Sequence, residues 1–125
     1  MKKIIKIPNA PAPIGPYSQA VVKNNTLYVS GQIPLDPFDG ELKCSSIQEA
    51  TEQVMKNITA LVETAGFEME DVVKCSIFLK SMDDFTEVNR VYESYFQSEP
   101  PARETVQVSK LPLDVPVEIS CIAQR

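Results

Sequence analysis

One amphipathic helix pattern, between Ser46 and Gly66, limits the folds open to this sequence more than any other feature. Apolar side chains recur there at spacings of three and four residues, which places them on one stripe of a helix. They are Ile47, Ala50, Val54, Ile58, Leu61 and Ala65. Ser46 and Glu49 fit a capping box at the start, and Gly66 favours the left-handed conformation that ends a helix. Because such a helix must bury its stripe against another layer, the rest of the chain has to supply one.

Alternation of apolar and polar residues predicts six short strands for that second layer. They are expected at residues 4–7, 19–22, 26–30, 72–79, 104–109 and 117–124. In the fourth strand, one face is predicted to carry Val73, Cys75, Ile77 and Leu79. A second helix is expected to begin after Asp83 or Asp84 and to run until Pro100 and Pro101 end it. Its buried stripe would contain Phe85, Val88, Tyr92, Tyr95 and Phe96.

The predicted order is therefore β-β-β-α-β-α-β-β, in a single domain of residues 1–125. Two helices can cover only one face of a sheet of about six strands, so the predicted fold class is α+β, a two-layer sandwich with a mixed sheet. Phe78 and Ile122 point to the face that the helices leave uncovered. Apolar side chains on an uncovered face predict that another subunit covers it.

The composition excludes several kinds of chemistry. The chain has no histidine, which rules out Ser-His and Cys-His nucleophile pairs and any zinc site that needs imidazole. Three widely spaced cysteines, Cys44, Cys75 and Cys121, form no metal-binding pair and are typical of a reduced, cytoplasmic protein. We therefore expect neither a metal nor a cofactor. A net charge of −5 argues against nucleic acid as a partner, and no apolar run is long enough to cross a membrane.

Two charged residues stand out as candidates for chemistry. Arg103 follows Pro100 and Pro101 where a loop becomes a strand, so it is either a surface ion-pairing residue or a stiffened two-pronged clamp for a carboxylate. Glu118 alternates with the core residues of the last strand and must face the uncovered side. It is either a solvated carboxylate or a partly buried proton acceptor. If the last two strands form a hairpin, the two residues lie far apart. They meet only if the connection crosses over or if they belong to different subunits.

Five further residues have a structural interpretation that the sequence alone favours or leaves open. Tyr17 follows Gly15 and Pro16 in a rigid loop, where its structural interpretation is a packed aromatic. Ser30 with Gly31 ends a strand, where the structural interpretation of the glycine is turn geometry. Asn89 lies just off the stripe of the second helix, and Thr105 lies on a sheet surface. Each of these side chains, or the backbone of Gly31, is also placed where a ligand could approach.

The segments Gly15-Pro16-Tyr17-Ser18-Gln19-Ala20 and Ser30-Gly31-Gln32-Ile33-Pro34 resemble the opening of the YjgF/RidA family. Further matching segments continue in order to the end of the chain: Asn57-Ile58, Val88-Asn89, Tyr95-Phe96, Pro101-Ala102-Arg103, Leu111-Pro112 and Val117-Glu118-Ile119. The resemblance implies a chorismate-mutase-like fold and a homotrimer with clefts between subunits. It also implies hydrolysis of reactive 2-imino or enamine acids to 2-oxo acids and ammonia.

The same resemblance implies the roles of the site residues. Arg103 would hold the substrate carboxylate and Glu118 would orient or activate water, while Tyr17, Ser30, Gly31 and Asn89 would line the cleft. Two features depart from the family. Thr105 stands where the family usually has a cysteine, so it can supply a backbone amide but no thiol, and segment 96–103 is a few residues short.

Two other functions stay open at the sequence level. One is a small-molecule module that binds 2-oxo acids or regulates without turnover. The other is a ribonuclease acting on single-stranded RNA, a label also attached to this family, against which the net charge and the missing histidines argue.

Overall fold

A computed structural model describes residues 1–8, 10, 13 and 15–125. One sheet contains β1 (Lys3–Ile5), β2 (Ala20–Lys23), β3 (Thr26–Gln32), β4 (Val72–Leu79), β5 (Ala102–Gln107) and β6 (Val117–Gln124). The helix α1 (Ile47–Thr64) joins β3 to β4, and α2 (Phe85–Glu93) joins β4 to β5. The predicted order of elements is confirmed. The strand bounds shift by at most two residues from those predicted.

The last strand lies inside the sheet rather than at its edge. The order across the sheet is β1-β2-β3-β6-β4-β5, so β6 is inserted between β3 and β4 and is antiparallel to both. The strand β5 pairs in parallel with β4 alone, with Arg103 opposite Cys75. A hairpin between the last two strands is therefore excluded, and the connection between them crosses over β4.

Both helices pack on one face of this sheet. The core contains the buried stripe of α1, the residues Val88 and Tyr92 of α2, and the inward-facing residues of the strands, in one cluster. This confirms the predicted two-layer α+β sandwich. None of the helices in the described part of the chain is long and apolar enough to cross a membrane.

The ends of α1 follow from local sequence. The hydroxyl of Ser46 accepts a hydrogen bond from the N–H of Glu49 at 3.0 Å, as the capping box predicts. The carboxylate of Glu49, however, accepts from the N–H of Ser45 rather than that of Ser46. Gly66 has a φ of 83°, and the N–H of Phe67 donates to Val62 O, which is the hydrogen-bond pattern of a Schellman motif.

Two predictions about the helix-covered face are wrong. The pairing of β4 with β6 shifts register between Val72 and Lys74, so Val72 is buried and Val73 is 46% exposed. A bulge of this kind defeats simple alternation, because one extra residue moves the following side chains to the other face. The second helix ends at Glu93, well before Pro100, and Tyr95 and Phe96 continue its buried surface from an irregular turn.

The uncovered side of the sheet, called the open face below, carries two apolar cross-strand pairs. Tyr28 lies opposite Ile122, and Phe78 lies opposite Val106. Tyr28 is 51% exposed and Val106 is 43% exposed, whereas Phe78 and Ile122 are half-buried. The predicted positions of Phe78 and Ile122 on this face are confirmed.

Candidate functional site

Arg103 lies on the helix-covered side of β5, where its guanidinium contacts α2. The Nη1 atom of Arg103 donates a hydrogen bond of 2.7 Å to Oδ1 of Asn89. Its Cζ lies 5.1 Å from the ring centroid of Tyr92 and 5.7 Å from that of Phe85. Asn89, predicted as a cleft residue, thus touches Arg103 directly.

An open cavity of about 620 Å³ adjoins Arg103. Its walls also include the polar side chains of Asn89, Glu93 and Gln97 and the apolar or aromatic residues Tyr92, Phe96, Pro100 and Pro101. Among the described residues, no carboxylate lies within 4 Å of the guanidinium, and the alternative of a surface ion pair within the chain is therefore not realised. A guanidinium that forms no ion pair, beside a cavity with both polar and apolar walls, is suited to binding a small carboxylate.

Thr105 follows Arg103 on the same side of β5. Its Oγ1 atom is buried and has no hydrogen-bond partner among the described residues. The N–H of Val108 donates to Leu79 O of β4 at 2.9 Å. Successive N–H groups along a strand point alternately to its two sides, so the N–H of Thr105, three residues earlier, points away from β4 towards the free edge of the sheet. An amide at that edge is free to join Arg103 in binding an anion.

Glu118 faces the open side of the sheet, as predicted. It lies opposite Phe78 on β4 and is half-buried. Burial raises the pKa of its carboxyl above the usual value. Within the described part of the chain no lysine or arginine pairs with this carboxylate, so nothing offsets the loss of solvation. A carboxylate in this state is a better proton acceptor than one in water.

A β-bulge brings Gly31 against Glu118. The pairing of β3 with β6 shifts register between Val29 and Gln32, which turns the backbone of Gly31 towards the carboxylate. A Cβ atom at position 31 would lie 2.7 Å from the carboxyl carbon of Glu118. Any side chain at position 31 would therefore displace the Glu118 carboxylate, whereas the φ angle of Gly31 lies outside the left-handed region and places no demand for glycine.

Ser30 and Tyr17 lie next to this carboxylate group in the chain. The hydroxyl of Ser30 donates a hydrogen bond of 2.6 Å to Ser18 O, and its N–H donates to Gln19 O. This ties the loop that carries Tyr17 to the end of β3. The ring of Tyr17 is 54% exposed, which does not fit the alternative of a packed aromatic.

The candidate residues thus form two groups on opposite faces of one sheet. Arg103, Asn89 and Thr105 form the arginine group on the helix-covered side. Glu118, Gly31, Ser30 and Tyr17 form the carboxylate group on or beside the open face. Cys75 on β4 pairs with both Arg103 on β5 and Cys121 on β6, so Arg103 and Cys121 lie at the same level two strands apart. Glu118 lies three residues before Cys121 along β6, a further distance of about 10 Å at roughly 3.3 Å per residue. One copy of the chain cannot bring both groups to one small substrate.

The cysteines are not suited to act as nucleophiles. Cys75 and Cys121 are buried in the core, as predicted, and burial raises the pKa of both thiols. Cys44 is exposed, and partial burial together with Glu49 raises the pKa of its thiol as well. A thiol with a raised pKa is a poor nucleophile at neutral pH.

Sequence reasoning missed the role of one buried polar residue. Asn57 on α1 is 5% exposed, and its Nδ2 donates to Leu35 O at 2.9 Å and to Ile33 O at 3.2 Å. These carbonyls belong to the loop that follows Gly31. The signal available in the sequence was an asparagine within the apolar stripe of a helix, a polar group that needs partners when buried.

Comparisons with known proteins agree with one another over almost the whole chain. The family model described as Endoribonuclease L-PSP matches residues 7–125. A RutC family protein of Pyrococcus horikoshii is 49% identical over 125 residues, which cover 100% of this chain and 99% of that protein. A 2-iminobutanoate/2-iminopropanoate deaminase of Mus musculus is 44% identical over 123 residues, or 98% of this chain and 91% of that protein. The crystal structure of YyfA from Yersinia pestis, a protein of unknown function in the Rid family, is 44% identical, with a TM-score of 0.95 and full coverage of both chains.

Proposed function

Because this chain belongs to the YjgF/RidA family, whose model is described as Endoribonuclease L-PSP, we propose that it hydrolyses reactive 2-imino and enamine acids to 2-oxo acids and ammonia. Relatives that are about 45% identical carry the name 2-iminobutanoate/2-iminopropanoate deaminase. The substrates of this class share a carboxylate next to a C=N or enamine group. The proposed site of action is the cytoplasm, as the sequence predicts.

The observation that carries this proposal is the environment of Arg103. One nitrogen of the guanidinium is held by Asn89, and no carboxylate of the described residues neutralises it. Its charge therefore remains available to a ligand in the adjoining cavity. The planar guanidinium can bind both oxygens of a substrate carboxylate, which fixes the orientation of the neighbouring C=N bond. The outward-facing amide of Thr105 would add a third donor.

Glu118 supplies the second part of the proposed mechanism. Its carboxylate accepts a proton from water as the water oxygen attacks C2 of the protonated imine. The resulting carbinolamine receives that proton on nitrogen. Its C–N bond then breaks as the C=O bond forms, while Glu118 accepts the hydroxyl proton and passes it to the departing ammonia, which leaves as ammonium. Atoms and charges balance without a cofactor: a protonated imine and water give a 2-oxo acid and ammonium. A carboxylate with a raised pKa suits both accepting and returning these protons.

The two groups meet only if copies of the chain associate, and we propose a homotrimer. The open face offers the apolar surface for this, with Tyr28, Phe78, Val106 and Ile122 available for burial against a neighbour. In a cyclic trimer, the arginine group of one subunit would face the carboxylate group of the next, giving three equivalent clefts.

One assay tests the activity. A pyridoxal-phosphate dehydratase acting on threonine or serine releases 2-aminocrotonate or 2-aminoacrylate, and the loss of imine is followed with and without this protein. We expect clear acceleration by the wild type. The Arg103→Lys variant keeps the charge but loses the two-pronged geometry, and we expect kcat/KM to fall by about tenfold or more.

The same material separates the alternatives. A binding or regulatory module would bind 2-oxobutanoate without accelerating imine loss, so absence of turnover with retained binding would replace the enzyme proposal by that one. A ribonuclease would cleave a labelled single-stranded RNA. We expect no cleavage, because a net charge of −5 repels a phosphate backbone and weakens its binding.

A further inference from the structure

Helix α2 contacts Arg103 at three successive turns. Phe85, Asn89 and Tyr92 are spaced by four and three residues, so they form one stripe on the helix surface. The ring of Phe85 is 5.7 Å from Cζ of Arg103, and that of Tyr92 is 5.1 Å away. Both distances lie within the range of cation–π contact. Asn89 forms its hydrogen bond from between these two rings along the helix.

This arrangement orients the guanidinium without neutralising it. A carboxylate in place of Asn89 would form an ion pair and compete with any anionic ligand. An amide oxygen and two aromatic faces attract the cation but leave its net charge intact. The contacts of Arg103 with α2 therefore hold the side chain and preserve its capacity to bind an anion.

The two rings are themselves held in place. The ring of Tyr92 packs against that of Phe96 with centroids 4.9 Å apart, and both residues are buried. Phe85 lies at the first position of α2, where the helix continues directly from a short turn at Met82–Asp84. Because Arg103 extends from an edge strand, it would otherwise sample many rotamers, and a ligand would have to immobilise it on binding.

We propose that Phe85 and Tyr92 are positioning residues, an aromatic brace that presents the Arg103 guanidinium to the carboxylate of the substrate. The inference rests on the proposed function of Arg103 and adds to it a requirement for two aromatic side chains, of which Tyr92 also lines the cavity and Phe85 is not among its wall residues. It follows that the affinity for carboxylate ligands depends on the aromatic character of these two side chains, and that an aliphatic side chain in the same place does not replace it.

The experiment compares leucine substitutions with conservative ones. Phe85→Leu and Tyr92→Leu keep an apolar side chain but remove the ring, whereas Phe85→Tyr and Tyr92→Phe keep it. Phe67→Leu is the matched control, since the buried ring of Phe67 also contacts an arginine, Arg125 at 4.6 Å, outside both groups of site residues. For each protein, calorimetry gives the Kd of 2-oxobutanoate, imine turnover gives kcat and KM, and thermal unfolding gives Tm.

We expect the leucine variants to raise Kd and KM by roughly five- to tenfold while kcat changes less, because the brace acts on carboxylate binding in ground state and transition state alike. The ring-preserving variants should bind within about twofold of the wild type. Phe67→Leu should lower Tm and leave Kd unchanged. Leucine variants that bind 2-oxobutanoate like the wild type would overturn the brace while leaving the proposed function intact.

A second measurement reports on the brace without using activity. In the wild type, the Nε–H proton of Arg103, assigned by its absence in Arg103→Lys, should show a ring-current shift in the NMR spectrum, and this shift should diminish in both leucine variants. An unshifted resonance in the wild type would contradict the brace. A shifted resonance in a protein that neither binds 2-oxobutanoate nor turns over imine would refute the proposed function, and with it the role of the brace in carboxylate binding.

Discussion

At the scale of single residues, the unpaired burial of Glu118 determines how the activity should depend on pH. A proton acceptor must be deprotonated, so kcat/KM should fall as the pH drops through the pKa of this carboxyl. Burial raises that pKa. The midpoint of the fall in kcat/KM should therefore lie at a higher pH than the pKa of about 4.3 that is usual for glutamate. A pH–rate profile of the wild type measures this limb directly.

Glu118→Gln removes the proton acceptor and keeps the shape. We expect kcat to fall by roughly 10²-fold at neutral pH, and the acidic limb of the profile to disappear. The raised pKa means that burial disfavours the ionised carboxylate in the folded state, so the wild type loses stability as the pH rises through that pKa. Glutamine carries no charge, so the variant should be no less stable than the wild type at pH 7. Turnover within twofold of the wild type would reduce Glu118 to a structural residue.

Gly31 tests whether the position of that carboxylate matters. In Gly31→Ala, the new Cβ would lie 2.7 Å from the carboxyl carbon of Glu118, so the side chain must move. We expect kcat to fall by about tenfold to a hundredfold, since a displacement of about 1 Å is enough to misalign a reacting group. The fold should persist, because a flexible side chain gives way more easily than backbone.

The matched control for this prediction is Gly40→Ala. Gly40 has a φ of 74° with nothing within 4 Å of a Cβ atom, so alanine there meets strain but no neighbour. It should cost about 1 kcal/mol of stability and leave kcat unchanged. Equal activity losses in the two variants would mean that loop strain, and not the Glu118 carboxylate, limits the reaction.

At the scale of elements, α1 supports the loop that follows Gly31 through Asn57. Asn57→Ala would leave the carbonyl group of Leu35 without the amide donor and that of Ile33 with the N–H of Leu35 alone, and we expect a loss of roughly 1–3 kcal/mol in the free energy of unfolding. Urea unfolding at fixed protein concentration measures it. Gln53→Ala is the control, because it removes only the half-exposed donor to Asn57 Oδ1 and should cost less. Equal losses would remove the loop carbonyls from the explanation.

The elements differ in how well local sequence predicts them. The bounds of α1 follow from Ser46 and Gly66, because caps act within one turn of the helix. The end of α2 does not, since the chain leaves the helix at Glu93 to pack Phe96 and no glycine or proline marks that point. The burial of Val72 in place of Val73 depends on a bulge against β6, a strand that lies 45 residues further along the chain.

The candidate site shows the same division between local and long-range information. Arg103 and Glu118 could be selected from their residue types and from the alternation of their strands. Their distance across the sheet, with β4 between their strands, depends on the insertion of β6 between β3 and β4, which no pattern within either strand encodes. The contact of Asn89 with Arg103 likewise depends on how α2 lies over the edge strand.

At the scale of the whole molecule, the proposed function needs two groups that a single chain holds apart. In a cyclic trimer every cleft would combine Arg103 of one subunit with Glu118 of another, so each cleft would need only one intact residue from each neighbour. Two variants that are impaired in different groups should then partly restore each other's activity when their subunits are mixed in one trimer.

Arg103→Lys and Glu118→Gln, unfolded together in equal amounts and refolded, should form mixed trimers in which about a quarter of the clefts contain both native residues. We expect the mixture to recover activity towards that fraction, while each variant refolded alone keeps only its own reduced activity. Refolding Arg103→Lys with Asn89→Ala is the control. Both changes fall in the arginine group, so no cleft of a mixed trimer would contain an intact arginine group. The activity of this mixture should equal the average of the activities of the two variants. No recovery in the first mixture, with mixed trimers verified by native mass spectrometry of a tagged variant, would mean that Arg103 and Glu118 do not act across a subunit boundary.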